Sequence, residues 1–70
     1  MNATDWISAY ADKLGIEPPT AEEFEAVLGL AGVAAHASER MAAPVACWLA
    51  AKAGVTLEEA MAIARDVPGS

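Results

Sequence analysis

Paired start and stop signals cut this sequence into four short helices and leave no segment for a sheet. Two capping boxes carry most of that information. In Thr20-Ala-Glu-Glu23 the threonine and the glutamate can satisfy each other's orphan backbone N–H groups, and Thr56-Leu-Glu-Glu59 repeats the spacing. Gly15 and Gly54 each follow an apolar-periodic segment, at the position where left-handed backbone ends a helix. Ile16 stands where the hydrophobic contact of a Schellman end belongs. Glu17-Pro18-Pro19 is a stiff connector, and Pro44 fits only a first helical turn. These signals predict helices over about 5–14, with Thr4 as N-cap, and over 21–37, 43–53 and 57–66. Ser38–Met41 is expected to be a turn or a kinked continuation between the second and third helices. No strand-like alternation and no internal repeat interrupts this pattern.

Seventy residues make one domain, spanning 1–70. At that size burial gains and chain entropy nearly cancel. The chain is 56% apolar, but much of that is alanine, so the core has to be thin and closely packed. Alanine with few β-branched residues also favours helix. Ala3, Ile7, Tyr10 and Leu14, with Trp6 beside them, form one stripe on the first helix. Phe24, Val27, Leu28, Ala31, Ala34 and Ala35 form the expected buried face of the second. Leu57, Ala60, Met61, Ala64 and Val67 form that of the fourth, with Ile63 at its edge. The third helix is apolar nearly all round, with large residues at Met41, Val45, Trp48 and Leu49 and small ones at Ala46, Ala50 and Ala53. A helix of that kind is usually the buried one. The expected fold is therefore all-α: a compact bundle of four short helices packed around a buried third helix, with Trp6 and Tyr10 read as core and, as the alternative, as an exposed aromatic anchor.

Ten acids against four bases give a formal net charge of −6. That argues against a binder of nucleic-acid phosphates and against docking on an anionic membrane. It is compatible with a basic protein partner. Cys47 is the only cysteine, so no internal disulfide can form, and a reducing cytoplasm is the simplest compartment. The opening Met-Asn-Ala-Thr-Asp-Trp has neither the basic region nor the apolar core of a signal peptide. The uncharged runs near Ala26–Ser38 and Met41–Ala51 fall short of the ~20 residues that span a bilayer.

His36, Glu39 and Arg40 form the one polar cluster with chemical potential. In helical geometry they are neighbours at i, i+3 and i, i+4. A His–Glu pair tunes a proton donor near neutral pH, and Arg40 can grip a carboxylate or phosphate with two hydrogen bonds. The alternative is structural: Glu39 and Arg40 anchor the turn, and His36 donates to a backbone carbonyl. Glu25, Gly29, Gly32 and His36 run along one line of the second helix. Each interior glycine costs about 1 kcal/mol against alanine. The line reads either as a groove for a partner helix or ligand ending at His36, or as a tolerated surface. No nucleophile–base–orienter set is present, so no catalytic residue and no enzyme activity are expected. His36, Glu39 and Cys47 lack the paired spacing of a zinc site, and no glycine-rich phosphate loop follows a strand, so no metal or cofactor is expected. Cys47, in an apolar helix, is expected to behave as a small hydrophobe.

Read as Leu28-x-Leu30-Ala31…Ala35-His36-Ala-Ser-Glu39-Arg40-x-Ala42-Ala43-Pro44-x3-Trp48-Leu49, the middle of the chain resembles a small actinobacterial helical domain. That domain occurs alone or fused to molybdenum cofactor guanylyltransferase-like (molybdopterin-guanine dinucleotide biosynthesis) proteins. The likeness extends to the Trp6-centred first helix. His36, Glu39, Arg40 and Pro44 are where its signature falls. The resemblance implies a link to cofactor nucleotide transfer but not the transfer itself, which needs a larger α/β domain. The favoured expectation is a cytoplasmic, non-enzymatic accessory or interaction module that presents Gly29, Gly32, His36, Glu39 and Arg40 to a protein partner or a second copy. The alternative is a small anionic-ligand domain that holds a phosphate or nucleotide with His36 and Arg40.

Overall fold

Local hydrogen bonding at the helix ends sets the course of the chain. The computed structural model describes residues 1–69; Pro68-Gly69-Ser70 reads in sequence as a stop and a frayed tail, and Ser70 lies outside the described residues. The four helices are α1 (Ala3–Leu14), α2 (Ala21–Ala37), α3 (Ala42–Ala53) and α4 (Leu57–Asp66), with no strand among the described residues. The all-α, four-helix expectation therefore holds. α1 starts earlier than expected because Asn2, and not Thr4, is its N-cap: Asn2 Oδ1 accepts from the Asp5 N–H at 2.8 Å. Its C-terminus is a Schellman end. Gly15 takes φ 77°, its N–H donates to the Asp12 carbonyl, and the Ile16 N–H donates to the Ala11 carbonyl, both at 3.0 Å.

The Thr20 capping box forms in full. The Thr20 N–H donates to Glu23 Oε1 at 2.8 Å, and the Glu23 N–H donates to Thr20 Oγ1 at 3.1 Å. The Thr56 box forms differently from the expected reciprocal pattern. The Glu59 N–H donates to Thr56 Oγ1, while the Thr56 hydroxyl, rather than its backbone N–H, donates to the Glu59 carboxylate. α2 and α3 are separate helices, because Ser38 leaves helical geometry at φ −138°, ψ −106°. No side chain caps α3. The backbone carbonyls of Glu39 and Arg40 instead take its first free N–H groups, from Ala42 at 2.9 Å and Ala43 at 3.1 Å.

The centre of the bundle is α2, not α3. Both α3 and α4 pack along α2, and α1 touches the rest only marginally. α3 has no fully buried residue. Among the described residues only Ala11, Leu30 and Ala60 are buried, and Leu30, at 2% exposure, is the one large side chain of the three. Leu30 was absent from the expected buried face of α2, whereas Leu28, which belonged to it, is more than half exposed. The reason is geometric. α3 turns its small residues Ala43, Ala46, Cys47 and Ala50 inward, all half-buried, so the two axes can approach closely. That approach leaves Met41, Val45, Trp48 and Leu49 on the far side, each more than half exposed. Val67 and Ile63 of α4 are exposed in the same way.

The directions of the helices follow from what meets at each end. Glu22, Glu23 and Ala26 of α2 share a shallow depression with Leu57, Glu58 and Met61 of α4. At the other end Ala37 and Ser38 meet Ala42, Ala64 and Val67. α4 thus runs parallel to α2, and α3 runs antiparallel between their ends. Gly29 lies at the α2–α4 crossing, where a Cβ would sit 2.8 Å from the Met61 methyl. α1 joins through Ile7, which faces Pro19, Phe24, Val27 and Leu28. The Cα radius of gyration is 12.7 Å in a body of 36 × 24 × 18 Å. A close-packed chain of this length would have about 11 Å. Trp6 and Tyr10, expected in the core, are instead more than half exposed.

Two substitutions test this arrangement by opposite signs. Leu30→Ala should cost about 2–5 kcal/mol, comparable with the whole stability of a domain this small, and abolish the cooperative transition in chemical denaturation. Gly32→Ala should stabilise by about 0.5–1 kcal/mol, because nothing lies within 4 Å of its added methyl group and the helix gains a better former.

Candidate functional site

The polar cluster sits at the C-terminal end of α2 and in the turn that follows. His36, Glu39 and Arg40 are all exposed, and among the described residues no ion pair or side-chain hydrogen bond joins them. What the structure does give Glu39 and Arg40 is a backbone role, since their carbonyls start α3. None of the shallow, mostly apolar depressions is lined by these three side chains, although one adjoins the cluster at Ala37, Ser38 and Ala42. One of about 190 Å³ lies between α1 and α2, and another runs along α3 and α4 past Leu49, Ile63 and Val67.

The glycine line divides in two. Gly29 has a helix against its backbone, but that helix is α4 of the same chain, through Met61. Gly32 is open, with nothing within 4 Å of the point where a Cβ would stand. Three of the candidate residues, His36, Glu39 and Arg40, are therefore brought together at one end of the molecule with Gly32 a turn away, while Gly29 serves internal packing.

Cys47 faces inward from α3, its thiol 3.9 Å from the Val27 carbonyl. Burial pushes its pKa up, since the thiolate would lose solvation there. Among the described residues no group of three His, Cys, Asp or Glu side chains is placed to hold a metal ion. No described helix is long and apolar enough to cross a membrane.

The surface feature that sequence reasoning assigned to the core is the outward face of α3. Met41, Val45, Trp48 and Leu49 recur at i, i+4, i+7 and i+8, and the Lys52 ammonium lies 4.8 Å from the Trp48 ring centroid. α1 adds an aromatic pair, with the Trp6 and Tyr10 rings 5.3 Å apart at 32°. The signal was present in the sequence, since no acid occurs between Glu39 and Glu58 in a chain of net charge −6. Periodicity identified these residues as one face, without showing whether the face is covered.

The fold and site define a small all-α domain with most of its large apolar side chains turned outward. The chain belongs to the family described as a domain of unknown function (DUF6457), whose profile matches residues 1–68. No curated protein and no solved structure matches it.

The cysteine gives a test of the inner face of α3. The upward shift means that the fold favours the neutral thiol, so this contribution is complete below the ordinary thiol range and is lost as pH rises through the raised value. Alkylation of Cys47 by iodoacetamide near pH 8.5 should be several-fold slower in the folded chain than in denaturant, with its pH midpoint moved upward.

Proposed function

We propose that this chain is a non-enzymatic helical interaction module. One observation supports the reading most strongly: among the described residues twelve large apolar side chains are more than half exposed, while only three residues are buried. Scattered exposed leucines are ordinary, but contiguous apolar faces on a small domain mark places where other proteins sit. Trp and Tyr are the side chains that most often dominate such contacts, and Trp6 and Tyr10 are presented as a pair. His36, Glu39, Arg40 and Gly32 provide a polar margin at the end of α2, as the rim of an interface requires.

The proposed setting is the cytoplasm and molybdenum cofactor maturation, with a guanylyltransferase-like enzyme as partner. This rests on the likeness of the His36…Glu39-Arg40…Pro44 segment to domains fused to such enzymes. The anionic-ligand alternative has less support, because His36 and Arg40 are exposed without a cavity between them. The test is calorimetric titration of the chain into the guanylyltransferase-like enzyme of its own source. Saturable binding is expected, weakened about tenfold or more in Trp6→Ala/Tyr10→Ala, since hot-spot aromatics each carry more than ~1 kcal/mol. Absence of binding would overturn that partner. Localised amide shifts at 38–43 on adding phosphate would favour the alternative.

A further inference from the structure

α4 meets α2 at a point where α2 has no side chain. A Cβ on Gly29 would stand 2.8 Å from the Met61 methyl group, so the thioether end of Met61 occupies the space that the glycine leaves. α4 packs along α2 more than along any other helix, and Leu30 is the one large buried side chain among the described residues. The Met61–Gly29 contact is therefore a large share of what joins the two helices. We propose that Met61 is a modification site: a peroxide oxidises its thioether to the sulfoxide, and the added oxygen opens the α2–α4 crossing.

Access is the first argument. Met61 is half-buried, and its side chain lines the open depression of about 420 Å³ that Glu22 and Glu23 share with Thr56 and Glu58. Hydrogen peroxide, little larger than water, enters such a depression without unfolding the chain. The sulfur lone pair attacks one peroxide oxygen. An S–O bond forms, the O–O bond breaks, and the departing hydroxide takes the proton of the transferred oxygen and leaves as water. Sulfur gives up two electrons and the peroxide receives them. A flexible apolar side chain thereby becomes a polar, chiral one.

The surroundings are the second argument. The methyl group already fills the gap at Gly29, so the new oxygen has to displace it or turn toward the depression. Glu22, Glu23 and Glu58 offer acceptors there, and the Thr56 hydroxyl already donates to Glu59 at 3.0 Å. No side chain of the depression has a free donor for a sulfoxide oxygen, and an unpaired polar group in a packed crossing is costly. The other sulfur atoms do not have this leverage. Met1 and Met41 are 90% and 72% exposed, so oxygen added to them disturbs no packing. Cys47 faces inward, and burial keeps its thiol in the neutral form, which is the unreactive one.

Titration of the full chain with hydrogen peroxide near neutral pH tests this, with peptide mass mapping beside urea denaturation. The cooperative transition should be lost in proportion to the oxygen gained at Met61, and methionine sulfoxide reductases should restore it. Met61→Leu should keep its transition while Met1 and Met41 are oxidised. Met41→Leu, at an exposed position, should lose the transition as the wild type does, and it decides the matter should Met61→Leu not fold. Oxidation of Met61 only in denaturant, oxidation that leaves the transition unchanged, or a Met41→Leu chain that resists peroxide would each overturn the proposal.

Discussion

Close approach of backbones along α2 is the constraint on which the rest of the molecule depends. The chain has few large side chains to place in a core and many alanines. α3 lays Ala43, Ala46, Cys47 and Ala50 against α2, and α4 crosses α2 where Gly29 leaves space for the Met61 methyl. Packing through small residues gains contact by bringing whole helices together, and it sends the large residues of α3 to the opposite side. Leu30 is the exception: a single large side chain that fills the space where α2, α3 and α4 meet. A bundle built in this way is thin, which is why one leucine carries so much of it.

Much of the fold was legible because helix ends are local chemistry. Thr20 with Glu23, Gly15 with Ile16, and Gly54 act through groups a few residues apart, so α2 and α4 begin and end where the signals place them. The first cap was read as Thr4, but Asn2 Oδ1 accepts from the Asp5 N–H and lets α1 begin two residues earlier, at Ala3. Which helix lies at the centre was not legible. α3 is apolar nearly all round and α2 is so beyond Glu25 as far as His36, and hydrophobic periodicity states which residues share a face but not which face is covered. Leu30 lies off the line drawn through Phe24, Val27 and Leu28, and only the placement of α3 and α4 explains its burial.

The polar cluster illustrates the same limit at the level of the site. His36, Glu39 and Arg40 were legible as neighbours, and the structure keeps them at one end of α2. Their proximity in sequence carried no information about a cavity. The turn uses the backbone carbonyls of Glu39 and Arg40 to start α3, so their placement has a structural explanation that does not engage their side chains. The outward apolar faces point to function more strongly, because a chain this small gains nothing in its own fold from exposing Trp6, Tyr10 and Trp48.

Amide hydrogen exchange resolved helix by helix tests the central claim most directly, that α2 organises the bundle and α1 lies at its margin. Protection follows the free energy of local opening, which rises toward the most heavily packed element. The slowest amides should fall in the part of α2 around Leu30, and those of α1 should exchange well before global unfolding. Protection in α1 equal to that of α2 would mean that Trp6 and Tyr10 are held against the domain, and would contradict the account.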